Sequence, residues 1–262
     1  MNEIEMNQGL LSHLEYFCMF IGYPYSGHSM VGSILDAHPN VVISQELHVG
    51  NLLKHGYQKE KIFSMILLNS FFHAQGGRTW NNYSYSIPGE WNGRYTTIRV
   101  IGDKKGSKSA KMLSKKSDIL DLAGTSFSVP VKYIHVMRNP FDMMSTLYRH
   151  TRPGGPEKME RMIERIVGRM EKVEKVRHQI QPENWLDVHH EQFIAAPDQS
   201  ITGLFSFFNL ETPSGFIENC RKILFKEPHQ SRHDIAWKKE EIEYVSGKIA
   251  AFEQFSSYTF ET

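Results

Sequence analysis

Three short stretches hold the residues whose types and spacing suit chemistry on an anion. The first is Gly22-Tyr23-Pro24-Tyr25-Ser26-Gly27-His28-Ser29, which follows the apolar run Phe17 to Ile21 and leads into Met30-Val31. A strand that delivers a tight turn of small residues onto a helix start leaves several backbone N–H groups unpaired and aimed outward. With the positive end of the helix dipole behind them, they suit a phosphate or sulfate group. Gly27 keeps a side chain out of the anion's way, and Ser26 and Ser29 add hydroxyls. Gly22 and Gly27 are five apart as in a Walker A loop, but His28 stands where that motif demands lysine; Ser29 keeps the hydroxyl position. The second stretch begins at Arg138, just past the β-branched run Val129 to Met137, with hydroxyls at Ser145 and Thr146 one to two helical turns on. A guanidinium there suits bidentate contact with a phosphate; the plainer alternative is a surface pair between Arg138 and Asp142. The third is the basic run Asp103-Lys104-Lys105-Gly106-Ser107-Lys108.

The elements that position these groups are legible as alternating patterns. Strands are expected over 16–21, 41–44, 97–102, 129–137 and 185–189, and helices over 29–36, 51–74, 143–150, 156–177, 200–208 and 239–252. Pro39 stops the first helix. Strands alternating with helices imply a parallel sheet covered on both faces, which binds ligands at the carboxyl ends of its strands. Each polar motif falls at such an end. The expected fold is therefore α/β: a three-layer, P-loop-like arrangement with a central parallel sheet flanked by helices, in a single domain over 1–262. The Met-rich stripe of 156–177 (Met159, Met162, Met170) reads as core packing rather than a partner groove. Residues 76–95 form an aromatic insertion with Trp80, Tyr83, Tyr85 and Trp91; it is either an acceptor wall or a local mini-core, and Asn92-Gly93 signals a hairpin turn.

Composition narrows the function classes. The 262 residues are 40% apolar and 23% charged with a formal net charge of +1, so no global field draws the chain to nucleic acid or an anionic membrane. An anion site must be local. The two cysteines, Cys18 and Cys220, have no zinc or CxxC spacing, which favours a reducing compartment. No signal-peptide pattern and no run of ~20 apolar residues occurs, so a cytoplasmic protein without an integral membrane segment is expected.

Taken together, the motifs resemble those of the sulfotransferases that use 3′-phosphoadenosine 5′-phosphosulfate (PAPS). Gly22 to Ser29 followed by Leu35-Asp36-Ala37-His38-Pro39 looks like that family's 5′-phosphosulfate loop and its helix exit. Val136-Met137-Arg138-Asn139-Pro140-Phe141-Asp142 with Ser145-Thr146 looks like its 3′-phosphate motif, and Val188-His189-His190-Glu191 with Ala196-Pro197 is similar to its late segment near the adenine. The resemblance spans roughly residues 17–240, in order, and is nearest to the bacterial and carbohydrate-type branches. It implies metal-independent, in-line transfer of a sulfuryl group from PAPS to an acceptor hydroxyl or amine, leaving adenosine 3′,5′-bisphosphate (PAP). It also implies that Tyr25, Ser26, Gly27, His28, Ser29 and Met30 hold the 5′-phosphosulfate. Arg138 with Thr146, or else Ser145, would hold the 3′-phosphate; His190 would border the adenine; Arg232 would approach the nucleotide.

One departure matters. Relatives often carry lysine or arginine where this chain has Tyr25, and developing negative charge needs a positioned cation. Lys104 is the expected replacement, because Gly102-Asp103-Lys104 resembles a family motif whose lysine reaches the donor; Lys105 and a protonated His28 are alternates. The resemblance places the general base at Glu46, with His48 as the alternative; both also suit a plain helix-start region. The expected acceptor is a small-molecule, glycan or lipid hydroxyl. The rival readings are a non-catalytic nucleotide-binding relative and a P-loop kinase.

Overall fold

The first strand shows how the chain sorts itself. In β1 (Tyr16–Gly22), Phe17, Met19 and Ile21 enter one core while Cys18 and Phe20 enter the other, the period-two alternation of a strand covered on both sides. The structure, a computed structural model, describes residues 9–80, 82–115, 118–151 and 158–261. Its main sheet has five parallel strands in the order β2 (Val41–Gln45), β5 (Val100–Lys104), β1, β6 (Val131–Met137) and β7 (Trp185–His189). A small antiparallel pair, β3 (Thr79–Trp80) and β4 (Tyr83–Ser84), stands apart.

Helices cover both faces, as the alternation requires. On one side lie α1 (His28–Asp36), α8 (His190–Ala195), α9 (Pro197–Ser206) and α10 (Phe216–Arg221). On the other lie α2 (Val49–Lys54), α3 (Lys59–Gln75), α4 (Gly106–Leu113), α5 (Asp118–Phe127), α6 (Pro140–His150), α7 (Lys158–Arg177) and α11 (Lys239–Ile249). This is the three-layer α/β arrangement expected. The methionine stripe of α7 is core: Met159, Met162 and Met170 are all buried. Positions 156–157 of that expected helix lie outside the described residues, as do residues 1–8 of the expected domain.

Several boundaries differ for physical reasons. The expected helix over 51–74 is two helices, because Gly56 takes a left-handed φ of 74° between them. The strand expected over 97–102 instead runs from Val100 to Lys104, so the charged Asp103 and Lys104 lie inside the ladder. Asp103 tolerates burial there because it accepts hydrogen bonds from Ser44 Oγ (2.9 Å), Leu47 N (2.9 Å) and Val49 N (3.0 Å). Helix α6 starts three residues earlier than expected, where the Asn139 side chain accepts from Phe141 N and Pro140 takes the first turn.

The hairpin signalled at Asn92-Gly93 is not formed there. Both residues have positive φ, but the Asn92 amide instead closes a loop onto Ile87, and the hairpin is β3–β4. What anchors the insertion is Arg78, buried in an ion pair with Asp36 at the end of α1 and donating to Ser33 Oγ at 3.2 Å. Asp36 Oδ1 also accepts from Ile43 N (2.6 Å) and Ser70 Oγ (2.7 Å), so one carboxylate joins α1, β2, α3 and the insertion. Replacing Arg78 leaves that carboxylate buried without its cation. Arg78→Met is expected to cost about 3–5 kcal/mol in urea denaturation. Tyr83→Ser, at an exposed position of the same insertion, is expected to cost no more than about 0.5 kcal/mol.

Candidate active site

The corner between β1 and α1 carries an unsatisfied backbone. Among the described residues, no acceptor takes the N–H groups of residues 25–29, while those of Met30 and Val31 both turn back to Gly27 O. Met30 therefore belongs to the helix, and its N–H is not free for a ligand as expected. Tyr25 and Gly27 hold φ of 63° and 101°, which folds the five free N–H groups into one concave turn at the helix start. The turn needs Gly27 twice over: a Cβ there would also fall 2.5 Å from His190 Nδ1.

His28 does not act as the missing cation. Its ring fills the space under the loop, against Gly22 and Gly106, where a Cβ on either would lie 2.8 or 2.3 Å from Nε2. Burial pulls its pKa down to about 4, against the raising effect of its bond to Ile21 O (3.2 Å) and helped by nearby Lys104. It is neutral at pH 7 and braces the loop. The Ser26 hydroxyl, expected to face the ligand, is buried and turned inward between Tyr23 O and His28 Nδ1, each at 3.1 Å. The Tyr25 phenol stacks on His150, with ring centroids 5.1 Å apart.

Arg138 reaches the same corner. It is 8% exposed, with Nη1 donating to Tyr25 O (3.3 Å) and Nη2 to His229 O and Ser231 Oγ (3.1 Å). No carboxylate among the described residues lies within ion-pair distance, and its Nε is buried without a partner. The alternative pairing with Asp142 is not made, because Asp142 is taken by Arg232: Nη1 to Oδ2 at 2.7 Å and Arg232 N to Oδ1 at 2.8 Å. That corrects the expectation for Arg232, whose side chain is buried in this pair and also donates to Phe260 O. It holds the turn carrying Ser231 beside Arg138. Of the two hydroxyls on α6, Ser145 accepts from Trp237 Nε1 (3.1 Å), whereas Thr146 Oγ1 is buried without a partner. His190 lies edge-on to Gly27; burial, then Arg138, lowers its pKa to about 3, and its Nδ1 has no partner. Thus Arg138 and His190 bring unused polar atoms to the corner, and Thr146 holds another on α6.

Lys104 occupies the other side. Its stem crosses α1 at Gly32, where a Cβ would meet Lys104 Cγ at 2.8 Å, and its Nζ donates to Ser29 Oγ at 3.1 Å. The same ammonium lies 3.5 Å from Glu46 Oε1 and 5.1 Å from the centroid of Trp80. Burial lowers its pKa to about 8, against the pull of Glu46 and Asp103. Glu46 also pairs with Lys105, the alternate cation, which is thereby engaged by the carboxylate. Burial works to raise the Glu46 pKa, but the two lysines hold it below the usual carboxylate value. His48 caps α2 in a left-handed conformation without a side-chain bond. Burial, then Lys105 and Lys108, lowers its pKa, and its Nε2 is buried without a partner. Gln45, not foreseen from sequence, also holds a buried unpartnered Nε2 beside Glu46. Its only signal was its place at the end of β2.

Residues 130–214 match the model of the sulfotransferase family. No curated protein matches the sequence. Among solved structures, the sulfotransferase STF9 from Mycobacterium avium is similar at TM-score 0.56 and 11% identity, over 98% of this chain and 81% of that one. The sulfotransferase domain of the Synechococcus PCC 7002 olefin synthase is similar at TM-score 0.51 and 13% identity, over 90% and 94%. At these identities the likeness is one of fold.

The Gly27–His190 contact can be checked without any ligand. Gly27→Ala combines an unfavourable φ with overlap on the imidazole and is expected to cost about 2–4 kcal/mol in urea denaturation. In a His190→Ala background only the φ penalty remains, about 1–2 kcal/mol; equal costs in both backgrounds would show that the imidazole does not press on the loop.

Proposed function

We propose that this chain, whose residues 130–214 match the sulfotransferase family model, moves a sulfuryl group from PAPS to a hydroxyl, or an amine, of a small-molecule, glycan or lipid acceptor. The single observation that carries this reading is the run of five unpaired N–H groups at residues 25–29, with Arg138 reaching the same corner. The residues fit the donor. The N–H groups of Tyr25, Ser26, Gly27, His28 and Ser29, with the Ser29 hydroxyl, would hold the 5′-phosphosulfate. Arg138 and Thr146, each with a buried polar atom that lacks a partner, would hold the 3′-phosphate, and His190 would border the adenine.

PAPS supplies an activated sulfuryl group, whose bond to the phosphate oxygen breaks as a bond to the acceptor oxygen forms. Glu46 takes the acceptor proton; held ionised by Lys104 and Lys105, it is a base throughout the neutral range. Lys104, between Ser29 and Glu46, faces the negative charge that grows on the departing phosphate and replaces the cation absent at Tyr25. The transfer as proposed uses no metal. Gln45, His48 and the face of Trp80 would border the acceptor. The buried free thiols of Cys18 and Cys220 support a cytoplasmic setting, and no helix among the described residues is long and apolar enough to cross a membrane.

Calorimetry with PAP tests the donor site. Micromolar binding that is indifferent to EDTA and lost in Arg138→Ala is expected; absence of binding by the native chain would sink the reading, and binding that requires magnesium and ATP would favour a kinase. Turnover tests the chemistry. Lys104→Met is expected to lower kcat by about 10²–10³-fold. Because Lys104 loses its proton above about pH 8, kcat should be flat through neutrality and fall on the alkaline side. Glu46→Gln should abolish turnover while His48→Asn keeps it; the reverse result would move the base to His48.

A further inference from the structure

A second buried polar chain lies behind the loop and meets it at Ser26, whose Oγ lies 3.1 Å from the Tyr23 carbonyl. Strand register builds it: Ile21 pairs with His135, and His135 pairs with Asp187. Tyr23 lies two residues beyond Ile21 and His135 two before Met137, so their side chains emerge on the face that also buries Ile21 and Met137. His135 Nδ1 lies 2.8 Å from Asp187 Oδ1, and His135 Nε2 lies 3.0 Å from the Tyr23 hydroxyl. Asp187 is held in turn by Trp185 Nε1 on Oδ1 and Arg177 Nη1 on Oδ2, each at 2.7 Å. His135 and Tyr23 are completely buried.

We propose that Tyr23, His135 and Asp187 form a positioning relay that presets the donor loop. The inference rests on the reading of residues 25–29 as the donor site. The proton positions follow from the partners. Burial would raise the Asp187 pKa, but His135, Trp185 and Arg177 hold it far below the usual carboxylate range, so it only accepts. His135, kept neutral chiefly by burial, must therefore carry its proton on Nδ1. Its Nε2 is then a lone pair, and the Tyr23 phenol donates to it; burial keeps that phenol protonated.

The relay ends on the first residue of the loop. The Tyr23 carbonyl accepts from Ser26 Oγ, and the next residue, Pro24, has a restricted φ, so the orientation of Tyr23 governs where residues 25–29 fall. The ring is packed edge-on against Phe255 and His135, with centroids 5.5 and 5.4 Å away. Phenylalanine would fill the same space yet leave His135 Nε2 buried without a donor. The phenol thus adds direction to a contact that packing alone would leave free to rock.

Two measurements test this. In the native chain, long-range ¹H–¹⁵N correlation spectra of histidine-labelled protein should show His135 as the Nδ1–H tautomer at neutral pH; an Nε2–H tautomer overturns the relay. Calorimetry should then show that Tyr23→Phe, at a temperature where it is fully folded, weakens PAP binding about tenfold, the loss of one buried hydrogen bond. The acceptor KM should not change. Asp187→Asn should have a similar effect, and the double variant should be no worse than either single one, because the two act through the same imidazole. Unchanged PAP affinity in folded Tyr23→Phe overturns the proposal even where the native chain binds PAP. Failure of the native chain to bind PAP removes the donor-site reading itself, and the relay's role with it. Should Asp187→Asn not fold, Tyr23→Phe and the tautomer decide.

Discussion

Everything at the mouth of this molecule depends on five backbone N–H groups that the fold leaves unsatisfied. A turn that ended on ordinary helix geometry would bring them back to carbonyls. Here two positive φ angles, at Tyr25 and Gly27, hold them outward. Such a turn does not support itself. Two neutral imidazoles do much of that work: His28 from beneath, against Gly22 and Gly106, and His190 from the side, against Gly27. Each glycine is small because a histidine needs its space. Keeping both rings uncharged matters as much as their shape, since an imidazolium would be buried here beside Lys104 or Arg138.

The charges around the turn divide into two unlike halves. On the side of β6, Arg138 is met by two carbonyls and a hydroxyl; Asp142 and Glu191 act on it through space, but no carboxylate among the described residues lies within ion-pair distance. On the side of β2 and β5, Lys104 and Lys105 share Glu46, and the histidine nearby is held neutral. On these groups each half carries one net positive charge, but only the second holds a carboxylate within ion-pair distance of its cations. Lys104 alone belongs to both, touching Ser29 and Glu46 from one ammonium.

Much of this was legible in the sequence, and what was not has a common cause. The alternation of strands and helices could be read because apolar periodicity is local. The loop and Arg138 could be read because each motif sits within a few residues at a strand end. Resemblance to known sulfotransferases singled out Lys104, but its contact with Ser29 Oγ was not foreseen. The contacts that escaped are those set by register between distant segments. Asp36 with Arg78, Asp142 with Arg232, Gly32 with Lys104, and Tyr23 with His135 and Asp187 each need the sheet in place before they exist. Asp103 is the plainest case. Its charge marked the end of a strand in the sequence, whereas the loop after β2 supplies the N–H groups that let it sit inside one.

Helix α1 carries the anion turn at its first residue and, at its last, the carboxylate from which Arg78 hangs the aromatic insertion. At about 1.5 Å per residue, its nine residues make a strut of roughly 13 Å with a fixture at either end. The strut sets a fixed gauge between the anion turn and the root of the aromatic insertion. Substitutions at exposed positions of the insertion, such as Tyr83, leave that gauge in place, whereas a change along the strut shifts both of its ends.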